Sequence, residues 1–178
     1  MELTPIAQRF VLHWGEMGPR WGISRTMAQI YALLFLSERP LPAKEIASTL
    51  RMARSSVRTS LRELQSWRLV KVVHVMGDRR NHFEAIQDVW ETFRLVVEER
   101  KRREIDPTLT VLRQCVREGR DAAGNGPDPN VPRIASVLDF LELLIDWSEE
   151  LKRLPPEHLI RLMHWGAKIL HWLPGGGH

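Results

Sequence analysis

The chain has 178 residues, 43% of them hydrophobic and 27% charged, which suits one folded domain or a small module with an appendage. Its single cysteine, Cys115, excludes an internal disulfide and fits a reducing compartment. No window approaches about 18 uncharged apolar residues and no basic-then-apolar leader opens the sequence, so a cytoplasmic protein without membrane contact is expected.

The formal net charge of +4 is unevenly distributed. Residues 43–80 hold nine basic side chains (Lys44, Arg51, Arg54, Arg58, Arg62, Arg68, Lys71, Arg79, Arg80) against three acidic ones (Glu45, Glu63, Asp78). Basic and acidic side chains number four and three in residues 1–42, and thirteen and sixteen in residues 81–178. A positive field confined to one short segment is the electrostatic footprint of a nucleic-acid binder.

In chain order, residues 4–17 predict a helix with Thr4 as cap and Pro5 at its first position. Its expected apolar stripe is Ile6, Phe10, Leu12 or His13, and Met17. GPRWG at 18–22 breaks it, and Ser24 can cap a second helix over about 25–37. That helix carries Met27, Ile30, Tyr31, Leu34 and Phe35, is apolar on more than one side, and is expected at the centre of a bundle. ERPLP at 38–42 stops it; AKEIASTL at 43–50 predicts a short helix with Ile46, Ala47 and Leu50 inward.

After a break at Arg51–Ala53, RSSVRTSLRELQSW (54–67) places Val57, Leu61 and Leu64 at i, i+4 and i+7, one core-facing stripe. Ser55, Thr59 and Arg62 point most nearly away from it, with Arg54 and Arg58 on the flank. Arg54, Arg58 and Arg62 are helix neighbours and repel one another, at about 0.2–0.5 kcal/mol per pair. An anionic partner would relieve that cost; a solvated basic face is the plainer reading of the same residues. LVKVVHVM (69–76), GDRR (77–80) and NHFEAI (81–86) then predict a hairpin whose tip carries Asp78, Arg79 and Arg80.

From Asp88 onward the pattern is helical. Val89, Phe93, Val96 and Val97 begin a helix that runs into the polar EERKRRE (98–104). Pro107 must end or kink it, and Asp106–Pro107 can cap a continuation to about Glu118. RDAAGNGPDPNV (120–131) reads as a loop. Two helices follow, at about 132–152 (Ile134, Leu138, Leu141, Ile145) and about 156–172 (Leu159, Leu162 or Met163, Leu170), before a disordered PGGGH tail.

The order helix, short helix, basic amphipathic helix and Arg-tipped hairpin is that of a winged helix-turn-helix. Residues 43–86, notably AKEIASTLRMARSSVRTSLRELQSWRLV followed by GDRR, resemble the multiple-antibiotic-resistance regulator (MarR) superfamily. FVLHWGEMGPRWGISRTMAQIYALLFL looks more narrowly like the GbsR subgroup, regulators of glycine-betaine synthesis. The resemblance implies that Ser55, Ser56, Arg58 and Thr59 face base edges of double-stranded DNA, that Arg54 and Arg62 sit between bases and phosphates, and that Arg79 and Arg80 form the wing contact. Asp78 repels phosphate and is expected to orient an arginine; Arg51 is at best a phosphate contact. Ala53 stands where many such sequences place a Ser or Thr cap, leaving Ser55 or Ser56 to satisfy the first amides or a phosphate.

Trp14, Trp21, Trp147, Trp165 and Trp172 all lie outside the basic helix and hairpin. Core and dimer packing is their default role. The sharper one is an aromatic cage for a quaternary ammonium effector, for which Trp14, Trp21, Trp147 and Trp165 are the candidates. The subgroup resemblance points the same way, through choline sensing.

His164 and His171 are two helical turns apart, too far for one ion, and no His or Cys pair has metal-ligand spacing. No metal site, cofactor or enzymatic motif is expected. Cys115, beside Leu112 and Val116, reads as a buried small hydrophobe.

The expected fold is mainly α with a small β-hairpin wing. Residues 1–22 would form a dimerisation helix, 23–87 the winged domain, 88–172 a helical dimerisation and ligand-sensing region, and 173–178 a tail. The expected function is a ligand-responsive repressor acting as a homodimer on a pseudo-palindromic operator. The alternative is a winged-helix DNA-binding or protein-interaction factor without a small-molecule ligand.

Overall fold

A computed structural model describes residues 2–121, 128–155, 157–162, 164 and 165. The chain divides into two compact units, Met1–Glu99 and Arg100–His178.

In the first unit, helix α1 (Pro5–Met17) starts where Thr4 Oγ1 accepts the Ala7 N–H at 3.2 Å and Pro5 presets the first turn. Its inward face is Val11 and Gly15, with Phe10 and Trp14 packed against the core. The stripe expected through Ile6 and Leu12 is corrected, because both are exposed. The helix turns its small residues inward instead: a Cβ on Gly15 would lie 2.5 Å from Gln29 Cγ, and one on Gly18 2.7 Å from Ala28 Cβ. Close backbone approach at glycines fixes the rotation of α1, which the pattern of apolar residues does not register. A 3-10 turn (Gly18–Trp21) follows and ends at Gly22, whose φ of 74° favours glycine.

Helix α2 (Arg25–Phe35) begins with Ser24 Oγ accepting the Met27 N–H at 3.1 Å. Every residue from Met27 to Leu34 is buried, so this helix is the centre of the unit. Helix α3 (Ala43–Thr49) buries Ile46 and Ala47, and helix α4 (Arg54–Ser66) buries Val57, Leu61 and Leu64. These side chains are almost fully removed from water, about 1.5–3 kcal/mol each for the branched ones.

The hairpin of strands β2 (Val70–His74) and β3 (Asn81–Ala85) gains a third strand, β1 (Leu41–Pro42), in the antiparallel order β1-β3-β2. Leu41 lies opposite Phe83 and Pro42 opposite His82. Two residues are too few for an alternating pattern, and proline tolerates only an edge position, so β1 leaves little trace in the sequence.

Helix α5 (Val89–Arg100) turns Leu95 and Glu99 inward, with Val96 against the core. Tyr31 Oη donates to the Ile86 carbonyl at 3.3 Å and meets Thr92 Oγ1 at 2.8 Å. This polar tie selects the face containing Thr92, leaving Val89 and Phe93 65% and 59% exposed. The expected stripe through Val89 and Phe93 is therefore an outward one.

In the second unit, the chain passes from a π-helical turn (Lys101–Ile105) directly into helix α6 (Asp106–Arg120). Asp106 is already helical, and the position before α6 is Ile105, so Asp106 is not its N-cap. The widened turn accommodates Pro107, which lacks an N–H and crowds the carbonyl four residues earlier. Helix α7 (Val131–Lys152) packs on α6 through Leu109, Val116, Val131 and Leu138, flanked by Leu112, Ile134, Leu141 and Ile145. Arg113 and Glu142 pair across them at 2.7 Å. Cys115 is half-buried, not buried. The rest of the expected 120–131 loop, most of the last helix and the 173–178 tail lie outside the described residues. No helix among the described residues is long and apolar enough to cross a membrane.

Candidate nucleic-acid interface

Helix α4 is anchored on one side and polar on the other. With Val57, Leu61 and Leu64 in the core, Arg54, Ser55, Ser56, Arg58, Thr59 and Arg62 are all exposed. The helix begins at Ala53, whose backbone has extended capping geometry (φ −63°, ψ 137°) but no side chain to bond the first amides. Those N–H groups and the helix dipole therefore face outward beside two serines.

Two arginines stand where glycine is the usual choice. Arg51 and Arg68 have φ of 53° and 60° at the ends of α3 and α4. At the first, Met52 N donates to the Ala47 carbonyl at 2.9 Å; at the second, Leu69 N donates to the Leu64 carbonyl at 3.0 Å. These reversals set the α3–α4 turn and the entry into β2.

A groove of about 780 Å³ runs between α3, α4 and the hairpin. Lys44, Arg58, Arg62, Arg79 and Arg80 line it, together with Gln65 and Asn81, and no carboxylate does. Arg58, Arg62 and Arg79 enter no ion pair among the described residues. The structure thus brings Arg58, Arg62, Arg79 and Arg80 of the expected site residues to one concave surface. Arg54, Ser55, Ser56 and Thr59 lie outside it, on the exposed start of α4. Lys44, Gln65 and Asn81 were not expected as site residues; the Lys44 charge is visible in the sequence, but nothing there marks its orientation.

At the hairpin tip, Gly77 (φ 81°) makes the turn, and Asp78 clamps Arg80. Asp78 Oδ1 accepts the Arg80 backbone N–H and Nε–H, each at 2.9 Å, while Oδ2 accepts from Nε at 2.9 Å and Nη2 at 2.5 Å. These hydrogen bonds hold the Asp78 carboxyl well below the usual carboxylate range, and the same pairing raises Arg80. Arg80 is thereby fixed in direction with its charge partly offset, whereas Arg79 keeps its full positive charge.

The candidate tryptophans fall in separate units. In the first, Trp14 stacks on Phe10 at 5.3 Å and meets Trp21 edge-on at 5.7 Å. In the second, Trp147 and Trp165 are 61% and 66% exposed. Among the described residues, no group of three or more His, Cys, Asp or Glu has the arrangement of a metal site.

Residues 21–81 match the model of the MarR family, from Trp21 through the wing tip. The crystal structure of a transcriptional regulator superposes with a TM-score of 0.61 and 20% identity, covering 82% of this chain and 95% of that one. A variant of S. aureus MepR bound to an oligodeoxyribonucleotide gives a TM-score of 0.39 and 15% identity over 95% and 93% of the two chains. The Thermotoga maritima transcriptional regulator Tm0710 gives 0.39 and 19% over 80% and 89%. No curated protein matches the chain. The architecture is a mainly helical winged helix-turn-helix, as in MarR-type regulators.

Proposed function

We propose that the protein is a sequence-specific, DNA-binding transcriptional regulator, not an enzyme, and that it acts as a homodimer. The observation that carries this reading is the groove in which α3, α4 and the wing present five cations and no carboxylate. An exposed helix fits the major groove, and an Arg-tipped hairpin fits the adjacent backbone or minor groove. Ser55, Ser56, Arg58 and Thr59 face base edges, Arg54 and Arg62 stand between bases and phosphates, and Arg79 and Arg80 meet DNA from the wing. Lys44 joins them at a phosphate. Phosphate neutralisation supplies salt-dependent affinity, and the polar face of α4 supplies sequence choice.

Homodimerisation through α1 and the helices after Asp88 is supported by the apolar surface they leave in water. Val137, Phe140, Leu144 and Trp147 are exposed on α7 at alternating spacings of three and four, the seam of a helix that packs on another. A two-fold pair would read half-sites about 10 bp apart. A ligand-responsive mechanism of the GbsR kind rests on the Phe10–Trp14–Trp21 aromatic group, whose faces suit a quaternary ammonium. A band-shift titration on DNA upstream of the gene, with and without choline or betaine, tests both parts. Specific retardation is expected, altered by one of these compounds. Its absence overturns DNA regulation, and retardation indifferent to both compounds overturns the effector alone.

A further inference from the structure

His82 sits on the central strand of the sheet, between Pro42 and Val73, and is 5% exposed. A buried imidazole at the root of an exposed wing is costly unless its nitrogens are used. Both are. Nδ1 lies 3.0 Å from the Arg80 carbonyl oxygen, which only accepts, so Nδ1–H donates. Nε2 lies 3.4 Å from Asp78 Oδ2, the oxygen that also takes Nη2 of Arg80.

Asp78, Arg80 and His82 thus form a closed ring at alternate positions of the hairpin. The Nδ1–H of the imidazole holds the carbonyl of the clamped residue, and its Nε2 edge stands against the carboxylate that clamps the guanidinium. We propose that His82 is the positioning residue of the wing, fixing Arg80 in the direction from which it meets DNA; this rests on the DNA-binding reading above. Its use is preorganisation. An arginine ordered before binding has less side-chain entropy to lose at the interface, although 60% of it remains in solvent.

The test is a double-mutant cycle on the full-length protein. The probe is a duplex enriched by the wild-type protein from a random-sequence pool. His82→Phe keeps an aromatic ring of similar size and burial but removes both nitrogens. It is expected to weaken binding roughly fivefold in the wild type and to have almost no effect when Arg80→Gln is already present. Equal weakening in both backgrounds makes His82 merely structural and overturns the proposal, as does no weakening in either.

A readout without DNA accompanies it. The Arg80 Nε–H signal in nitrogen-15 NMR is expected to exchange slowly in the wild type and to collapse onto the free arginines in His82→Phe. An unchanged signal overturns the proposal. Should His82→Phe fail to fold, His82→Gln, which retains one donor, is expected to give a partial loss by both readouts, and none overturns it. If the wild-type protein enriches no duplex while the NMR result holds, the DNA-binding reading has failed and the ring has not.

Discussion

Replacing Arg58, Arg62 and Arg79 together by glutamine removes three of the four groove cations that have no ion-pair partner among the described residues. Each phosphate that is no longer neutralised lowers the slope of log affinity against log salt by about 0.9, so the slope of the triple variant should be shallower by about 2.7 per protomer. Between about 50 and 200 mM salt, wild-type affinity should therefore fall roughly fortyfold more than that of the variant, per protomer. Fluorescence anisotropy on a mixed-sequence duplex of about 20 bp measures both slopes. Stability should move the opposite way. Arg58 repels Arg54 and Arg62 at helical spacing, so the variant should be as stable as the wild type or up to about 1 kcal/mol more so. A slope unchanged within about half a unit would show that the groove does not meet phosphate. A stability decrease of about 2 kcal/mol or more would mean that these side chains hold the fold instead.

Arg58→Ala should cost about 1–3 kcal/mol on a selected duplex and broaden preference at one base, seen by repeating selection with the variant. Gly15→Ala should destabilise by about 1 kcal/mol in urea melts, because the new methyl meets Gln29 Cγ at 2.5 Å. In a Gln29→Ala background, the same change should instead stabilise by about 1 kcal/mol through helix propensity. Ala53→Ser should add about 0.5–1 kcal/mol of thermal stability, since the backbone at the start of α4 already has cap geometry. Asp78→Asn should lower stability at neutral pH. The folded-state value of Asp78 is depressed, so its contribution is complete above the ordinary carboxylate value of about 3.9 and fades as pH falls below it. The two melting curves should converge in acid.

The helices of the winged unit are legible because each carries its own local signal. Thr4, Ser24 and the Val57–Leu61–Leu64 stripe specify start points and an inward face without reference to distant residues. What escapes the sequence depends on partners far along the chain. The rotation of α1 is set by glycines meeting Gln29 and Ala28, and that of α5 by a hydroxyl bond between Thr92 and Tyr31. In both helices large apolar residues face outward, so apolar periodicity selects the wrong side. At the candidate interface the charges can be counted but not aimed. Lys44 looks like any helix-surface lysine, and His82 like any strand residue, until Pro42 and Asp78 are placed beside His82.

The short strand β1 has a consequence for how the molecule assembles. Leu41 and Phe83 are paired across a chain separation of about 40 residues, and closing such a loop yields no return until the helices between them have docked. The sheet should consequently form late, after α2, α3 and α4 have collapsed around the buried run from Met27 to Leu34. On the ribosome, the helices could pack while β3 was still in the exit tunnel. The wing, and with it two of the five cations of the groove, would appear only once Ile86 had emerged to donate its N–H to the Leu69 carbonyl.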